Sequence, residues 1–218
     1  MVPENSKVKN AQPTVIRIRF TKVGSLQFIS HLDLCRTMKS ALIRAKAPLW
    51  YSEGFNPHPR MTFALPLSIG TQSVNELLDV KLDYEVDSEQ FRQALDAETT
   101  DEMKILECYY PENKLNSIEW AEYELAFDCN IESAKGMFDE PYIIMKRSKS
   151  GEKETDISPL TALCEIEGDR ARVILSATSE KFLNPEYIAA AICKKTGAES
   201  YTIMRTNILR SDKKTSFR

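Results

Sequence analysis

The two histidines of the chain, His31 and His58, lie within one stretch of 28 residues. Histidine is the side chain that most readily accepts and donates a proton near neutral pH. Attack by an RNA 2′-hydroxyl needs one general base and one general acid. A metal-independent endoribonuclease that uses His31 and His58 is therefore one hypothesis. The alternative is that His31 packs beside a core at the start of a helix and that His58 belongs to a structural loop.

The loop around His58 carries side chains that suit unpaired RNA. These are the candidate ligand-binding residues Tyr51, Phe55, Asn56, His58 and Arg60. Asn56 and His58 each precede a proline, which favours extended backbone and stiffens the loop. Aromatic and guanidinium planes stack on bases, and guanidinium groups bind phosphates. The pattern predicts an RNA-binding loop; the alternative is a loop that only covers the end of a sheet.

Residues 30–45 have the spacing of an amphipathic helix that begins with a capping box, Ser30 followed by Asp33. We predict that the buried side of this helix contains Leu32, Cys35, Met38, Leu42 and Ala45. The opposite side carries Arg36, Ser40 and Arg44, each four residues from the next. Two guanidinium groups in such a row could each bind an anionic oxygen, so His31, Arg36 and Arg44 join the candidate RNA-binding residues. The alternative is an ordinary solvated face.

Charge is distributed unevenly along the chain. The net charge is −3 overall, but residues 14–62 carry +6, residues 74–124 carry −11 and residues 200–218 carry +4. Such asymmetry can mark a surface that binds a polyanion. It can also arise from a mixed solvated surface, or from two segments that attract each other.

Composition excludes several classes of protein. The chain has 218 residues, 42% of them hydrophobic, which is enough for a folded core. No apolar run reaches the length of a membrane-spanning helix. The five cysteines form no CxxC pattern, the Walker A pattern is absent, and His31, Asp33, Glu53 and His58 match no compact metal motif. We therefore expect no cofactor, no metal and no membrane, and a cytoplasmic protein with reduced thiols.

Hydrophobic periodicity predicts the order β-α-β-β-α-β twice. The first copy has strands at residues 15–20, 49–52, 76–84 and 103–110 and helices at 30–45 and 88–97. The second includes a short helix at 131–138, a hairpin across Gly168 and Asp169, and a helix at 184–195. The predicted fold is α+β, with two tandem ferredoxin-like sandwiches at residues 14–112 and 118–210. Residues 1–13 and 211–218 are predicted to be flexible.

Three segments carry a family resemblance: residues 28–33 (FISHLD), residues 51–60 (YSEGFNPHPR), and residues 64–70 (ALPLSIG) followed by Glu76. They resemble a bacterial family of unknown function, the radical-SAM-linked domain. The match is dense from residue 15 to residue 83 and looser to the C-terminus. Members of that family occur alone or at the end of a radical-SAM protein, often near genes for ribonuclease E/G and ribosomal proteins. The resemblance implies a cytoplasmic role with a partner in RNA or ribosome-related work and implies no established activity.

Together these observations favour a noncatalytic RNA-binding or RNA-modification-associated module that works with a radical-SAM enzyme. The chain has no CxxxCxxC, so any iron–sulfur cluster would belong to that partner. Two alternatives remain open: a protein adaptor that docks a radical-SAM enzyme without touching RNA, and the endoribonuclease described above. DNA is not expected as a partner.

Overall fold

A computed structural model describes residues 12–148 and 151–218, and its fold is α+β, as predicted. The chain forms two compact units. The first comprises residues up to 69 with 73–115 and 218, and the second comprises 70–72 with 116–217. Most of the predicted flexible segment 1–13 lies outside the described residues.

The first unit is an antiparallel sheet with two helices. Its strands run in the spatial order β4-β1-β3-β2, and its elements in chain order are β1 (Thr14–Lys22), α1 (His31–Arg44), β2 (Met61–Phe63), β3 (Thr71–Leu82), α2 (Ser88–Asp96) and β4 (Ile105–Tyr109). Alternate residues of the strands face a core shared with both helices. Its fully buried members include Ile16, Ile18, Phe20, Met38, Leu42, Leu78 and Leu95.

Helix α1 begins as its capping box predicts. The Asp33 N–H donates to Ser30 Oγ (3.1 Å), and the Ser30 hydroxyl donates to the Asp33 carboxylate (2.7 Å). The hydrogen bond from Ser30, and then that from Arg36, lower the pKa of Asp33. Asp33 therefore serves to start the helix.

The predicted buried side of α1 is wrong in part. Leu34, Met38, Ala41 and Leu42 are buried, whereas Leu32 is 58% exposed. The buried positions follow the three- and four-residue spacing of one helix face. Leu32 lies two residues before Leu34, so it points about 200° away around the helix axis.

The predicted strand at residues 49–52 is also wrong. This segment makes only single bridges, between Leu49 and Leu82 and between Tyr51 and Pro59. Besides β1, the strand of the first unit that pairs with β3 is β2, in which Phe63 pairs with Leu78. Regular pairing begins after Pro59 because a proline cannot donate a hydrogen bond to a neighbouring strand.

The alternation of β1 predicts half-exposed arginines, but Arg17 is completely buried. Arg17 lies opposite Asp79 of β3. Its Nε and Nη2 donate to the two carboxylate oxygens of Asp79 (2.6 and 2.9 Å), and Nη2 also donates to the Asn113 carbonyl (2.8 Å). Asp79, which compensates the charge of this buried arginine, is 62 residues away along the chain.

The second unit has a sheet in the order β10-β5-β9-β8 and a separate two-stranded sheet of β6 and β7. Its elements are β5 (Trp120–Phe127), β6 (Ile143–Ser148), β7 (Gly151–Asp156), β8 (Thr161–Glu167), β9 (Arg170–Ser176), α3 (Pro185–Thr196) and β10 (Tyr201–Leu209). The β8–β9 hairpin across Gly168 and Asp169 confirms the predicted turn. Helix α3 is also confirmed, with Asn184 as its N-cap and Gly197 in the left-handed conformation (φ 81°) at its end.

Two predictions for the second unit are wrong. The short helix expected at residues 131–138 is reduced to a 3₁₀ turn, Glu132–Ala134. The polar, charged composition of residues 148–155 predicts a turn, but strand β7 begins within this segment.

The C-terminal segment, predicted to be flexible, folds back on β10. The Arg210 N–H donates to the Thr215 carbonyl (3.0 Å), and the Phe217 N–H donates to the Ile208 carbonyl (2.8 Å). The Phe217 side chain is buried. An aromatic residue near the end of a basic tail thus packs against the last strand.

Candidate functional site

Residues 51–60 form a small hairpin, which we call the 51–60 hairpin. Its neck is closed by the bridge between Tyr51 and Pro59 and by a hydrogen bond from the Ser52 N–H to the His58 carbonyl (2.9 Å). Ser52 is buried, whereas the intervening residues 53–58 are all exposed. The loop predicted from Asn56-Pro57-His58-Pro59 is therefore an exposed hairpin, and its neck contains a buried serine.

The base of the hairpin is attached to β3. The Trp50 N–H donates to the Lys81 carbonyl (2.9 Å), and the Lys81 N–H donates to the Arg60 carbonyl (3.0 Å). The Arg60 N–H in turn donates to the Trp50 carbonyl (3.0 Å). These backbone bonds bring Lys81 beside Arg60, although 21 residues separate them in the sequence.

His58 is held by Ser52 in two ways. The His58 N–H donates to Ser52 Oγ (3.1 Å), and His58 Nδ1 lies 3.0 Å from the same oxygen. Nδ1 also lies 3.3 Å from the Asn56 carbonyl oxygen. The imidazole therefore has one nitrogen fixed against the hairpin. The sequence analysis did not identify Ser52 as a site residue. Its only local signal is its position within the 51–60 segment, directly after Tyr51.

The tip of the hairpin presents an aromatic side chain to solvent. Phe55 is fully exposed, and Tyr51 at the neck is 43% exposed. Gly54 just before the tip has φ 118°, a conformation that residues with a Cβ rarely adopt, so the turn requires glycine here. An exposed ring on a braced turn loses little conformational entropy when it stacks on a ligand.

Four of the eight basic residues of segment 14–62 form ion pairs within the first unit. The ion pairs are Arg17–Asp79, Arg19–Glu107 (3.5 Å), Arg36–Asp33 (3.2 Å) and Arg44–Glu98 (2.8 Å). Three of these four acids come from the acidic segment 74–124. The predicted row of Arg36 and Arg44 is exposed, but both guanidinium groups already bind carboxylates. The segments of opposite charge thus attract each other, which is one of the alternatives that the sequence left open.

Some cations of the described part of the first unit make no such pair, and two of these, Arg60 and Lys81, lie at the base of the hairpin. Within the described ranges 12–148 and 151–218, Lys46, Arg60 and Lys81 make no side-chain ion pair or hydrogen bond. Arg60 and Lys81 lie at the hairpin base, and Lys46 directly follows α1 just before the Leu49 bridge to β3. Glu53 is the one acidic residue of the hairpin itself.

His31 lies in a different setting from His58. It is the exposed first residue of α1, its ring packs edge-on against Phe63 (5.2 Å between centroids), and its Nε2 lies 3.6 Å from Cys35 Sγ. Burial raises the pKa of the Cys35 thiol, so the thiol is not an activated nucleophile. Phe63, which the His31 ring contacts, lies five residues along the chain from His58.

The structure therefore gathers Tyr51, Phe55, Asn56, His58 and Arg60 in one hairpin and places His31, Arg36 and Arg44 on α1. Of the residues that the structure describes, none forms a direct contact that joins His31 to His58. The same part of the chain contains no group of three or more metal-ligating side chains. Nor does it contain a helix that is long and apolar enough to cross a membrane.

Comparisons with known proteins identify a family. A family model described as "uncharacterized protein conserved in bacteria (DUF2344)" matches residues 15–185. No curated protein matches the chain. A crystal structure of an unknown protein from Galdieria sulphuraria aligns with 89% of this chain and 99% of its own, at 10% identity and a TM-score of 0.28. Because the family model spans well over half of the sequence, the chain belongs to the bacterial family of uncharacterized proteins DUF2344.

Proposed function

We propose that this protein is a noncatalytic RNA-binding module that holds unpaired bases on the 51–60 hairpin. The observation that carries the proposal is the fully exposed Phe55 ring at the tip of a braced turn. A solvent-exposed aromatic ring held on a braced turn is the kind of platform on which an unpaired base stacks. The neighbouring Tyr51 and Arg60 provide two more planar groups that stack on bases.

The charges beside the hairpin support a nucleic-acid ligand of modest electrostatic strength. Lys46, Arg60 and Lys81 have no acidic partner among the described residues and can each bind a phosphate. Three phosphate contacts to a single strand predict that the logarithm of the affinity falls with the logarithm of salt concentration with a slope of about −2. The four arginines of β1 and α1 are already paired, so they would add little to this slope.

Binding to a fluorescently labelled, unstructured RNA of about twelve nucleotides tests the proposal, because that length exceeds a hairpin-sized footprint. Phe55→Ala removes a stacking interaction of about 1–3 kcal/mol and should weaken binding by about 5- to 150-fold. Phe28→Ala is the matched control, since Phe28 is also 65% exposed but lies outside the hairpin. The RNA should stay intact through a long incubation.

Three results would contradict the proposal. One is the absence of binding even at low salt, and another is equal affinity of the Phe55→Ala and Phe28→Ala variants. The third is cleavage of the RNA that depends on both His31 and His58, which would favour the endoribonuclease.

A protein adaptor for a radical-SAM enzyme is the second candidate function. It is favoured by Phe28 and Leu32, which flank the start of α1 and are 65% and 58% exposed. Exposed apolar side chains of this kind are common at protein interfaces. Recovery of a stoichiometric radical-SAM enzyme from bacterial cytoplasm after ribonuclease treatment, lost in a Leu32→Glu variant, would support the adaptor over RNA binding.

The free cysteines among the described residues support a reducing compartment such as the cytoplasm.

We also propose that both units have the ferredoxin-like topology predicted from the sequence. The strand orders β4-β1-β3-β2 and β10-β5-β9-β8 support it, because each places the last strand beside the first and the third strand beside the second. In the second unit the 3₁₀ turn Glu132–Ala134 would stand where the first helix of the motif belongs, and the β6–β7 hairpin would be an insertion.

A further inference from the structure

The hydrogen bonds of His58 determine which of its nitrogens faces a ligand. Nδ1 lies 3.0 Å from Ser52 Oγ and 3.3 Å from the Asn56 carbonyl oxygen. A carbonyl can only accept a hydrogen bond, so a proton on Nδ1 satisfies both oxygens at once. Ser52 Oγ also accepts a hydrogen bond from the His58 N–H. We call these contacts of Ser52 with the backbone and the ring of His58 the Ser52 bracket. The neutral ring then carries its lone pair on Nε2, the nitrogen for which the described residues supply no partner.

We propose that His58 Nε2 contacts a phosphate of the RNA that the hairpin holds and takes up a proton when the RNA binds. The inference rests on the proposed function and deepens it, because it names the regulation of the same site. A neutral imidazole with its lone pair on Nε2 repels a phosphate oxygen, whereas the imidazolium donates a charge-assisted hydrogen bond to it. Binding and protonation are therefore linked, and each strengthens the other.

Histidine is the side-chain type whose charge changes near neutral pH, and the hairpin contains one histidine, His58. The other titratable or charged side chains of the hairpin and of the strand at its base are Tyr51, Glu53, Arg60 and Lys81. Side chains of these types do not titrate between about pH 6 and pH 8, whereas histidine does.

The Ser52 bracket holds the His58 ring in the orientation that the phosphate contact requires. Without the Ser52 hydroxyl, the ring can rotate and expose either nitrogen, and the phosphate contact loses its fixed donor. Ser52→Ala should therefore reduce both the affinity and its pH dependence, although Ser52 is buried and does not itself reach the ligand.

The test measures the affinity for the same labelled RNA at about pH 6 and about pH 8, at constant ionic strength. If a phosphate raises the midpoint of imidazole titration by about one pH unit, the affinity at pH 6 should exceed that at pH 8 about sixfold. The dependence should vanish in His58→Gln and persist in His31→Gln, the matched control at the other histidine. Calorimetry of the unaltered protein in two buffers of different ionisation enthalpy should show net proton uptake on binding, which requires no variant to fold.

Two outcomes would overturn the inference. Phe55-dependent RNA binding with the same pH dependence in His58→Gln as in the unaltered protein would refute it and leave the proposed function intact. Absence of proton uptake on binding would do the same. Absence of RNA binding at both pH values would instead remove the proposed function, and this inference with it.

Discussion

Replacing Asp79 by asparagine should destabilise the first unit more than any exposed charge change. The substitution keeps the shape of the side chain but removes the charge that compensates Arg17. The Arg17 side chain is completely buried and that of Asp79 is 18% exposed, with two hydrogen bonds of 2.6 and 2.9 Å between them. Burial alone would lower the pKa of Arg17, but the hydrogen bond and the charge of Asp79 raise it above its ordinary value. Because an arginine guanidinium is not deprotonated in proteins, Arg17 stays charged in the variant, without the compensating carboxylate of Asp79.

The expected loss follows from this geometry. Removing one member of a buried ion pair costs about 3–5 kcal/mol, because the other charge stays desolvated. Since Asp79 is partly exposed, we expect the lower end, about 3 kcal/mol. For a unit of roughly 100 residues each kcal/mol shifts the melting temperature by about 4–8 °C. The melting temperature should therefore fall by at least about 12 °C.

Thermal and urea unfolding followed by circular dichroism measure this loss. Arg36→Ala is the control, because the Arg36–Asp33 pair is solvent-exposed and should contribute at most about 1 kcal/mol. The double variant Arg17→Met with Asp79→Leu should recover most of the stability, since a packed apolar pair removes both charges. If Asp79→Asn melts within about 2 °C of Arg36→Ala, the buried pair does not act as argued.

Two further predictions concern other parts of the fold. Gly24→Ala should lower the free energy of unfolding in urea by about 1–3 kcal/mol, because Gly24 has φ 60°, which is unfavourable for a residue with a Cβ, and an added Cβ would displace the Glu102 carboxylate that binds Ser25; equal stability of the variant would refute this. The hydrogen bond from Thr215 lowers the pKa of Asp212 to about 2, below its unfolded value of about 3.9. Ionised Asp212 therefore stabilises the C-terminal turn above about pH 4, and this stabilisation is lost as the pH falls towards 2; the Thr215 amide signal in NMR should shift in that range and not in Asp212→Asn.

Local signals predicted the elements whose causes are local. The cap of α1 at Ser30, the proline and asparagine that start α3, and the Gly168 turn each depend on a few neighbouring residues, and each is present in the structure. The predicted site residues of the hairpin also follow from local chemistry, because the prolines at 57 and 59 fix the segment that carries them.

Features that depend on distant partners could not be predicted in this way. The burial of Arg17 needs Asp79, 62 residues away, and an alternating strand gives no sign of it. The position of β2 depends on pairing with β3, which competes with the equally strand-like residues 49–52. The bracket on His58 needs the burial of Ser52, which only the closed hairpin provides.

The same distinction decides how the charge of this protein should be understood. Summed along the sequence, residues 14–62 form a strongly basic segment that favours a broad polyanion-binding face. In the folded unit, Asp79, Glu98 and Glu107 neutralise three of its arginines, so a broad face is not what remains. What remains is a local concentration of positive charge beside an aromatic tip. We therefore expect the proposed site to bind a few nucleotides by stacking, with an affinity that depends only weakly on salt. A salt slope near that of a protein with many phosphate contacts would therefore place RNA elsewhere on the molecule, whatever its affinity.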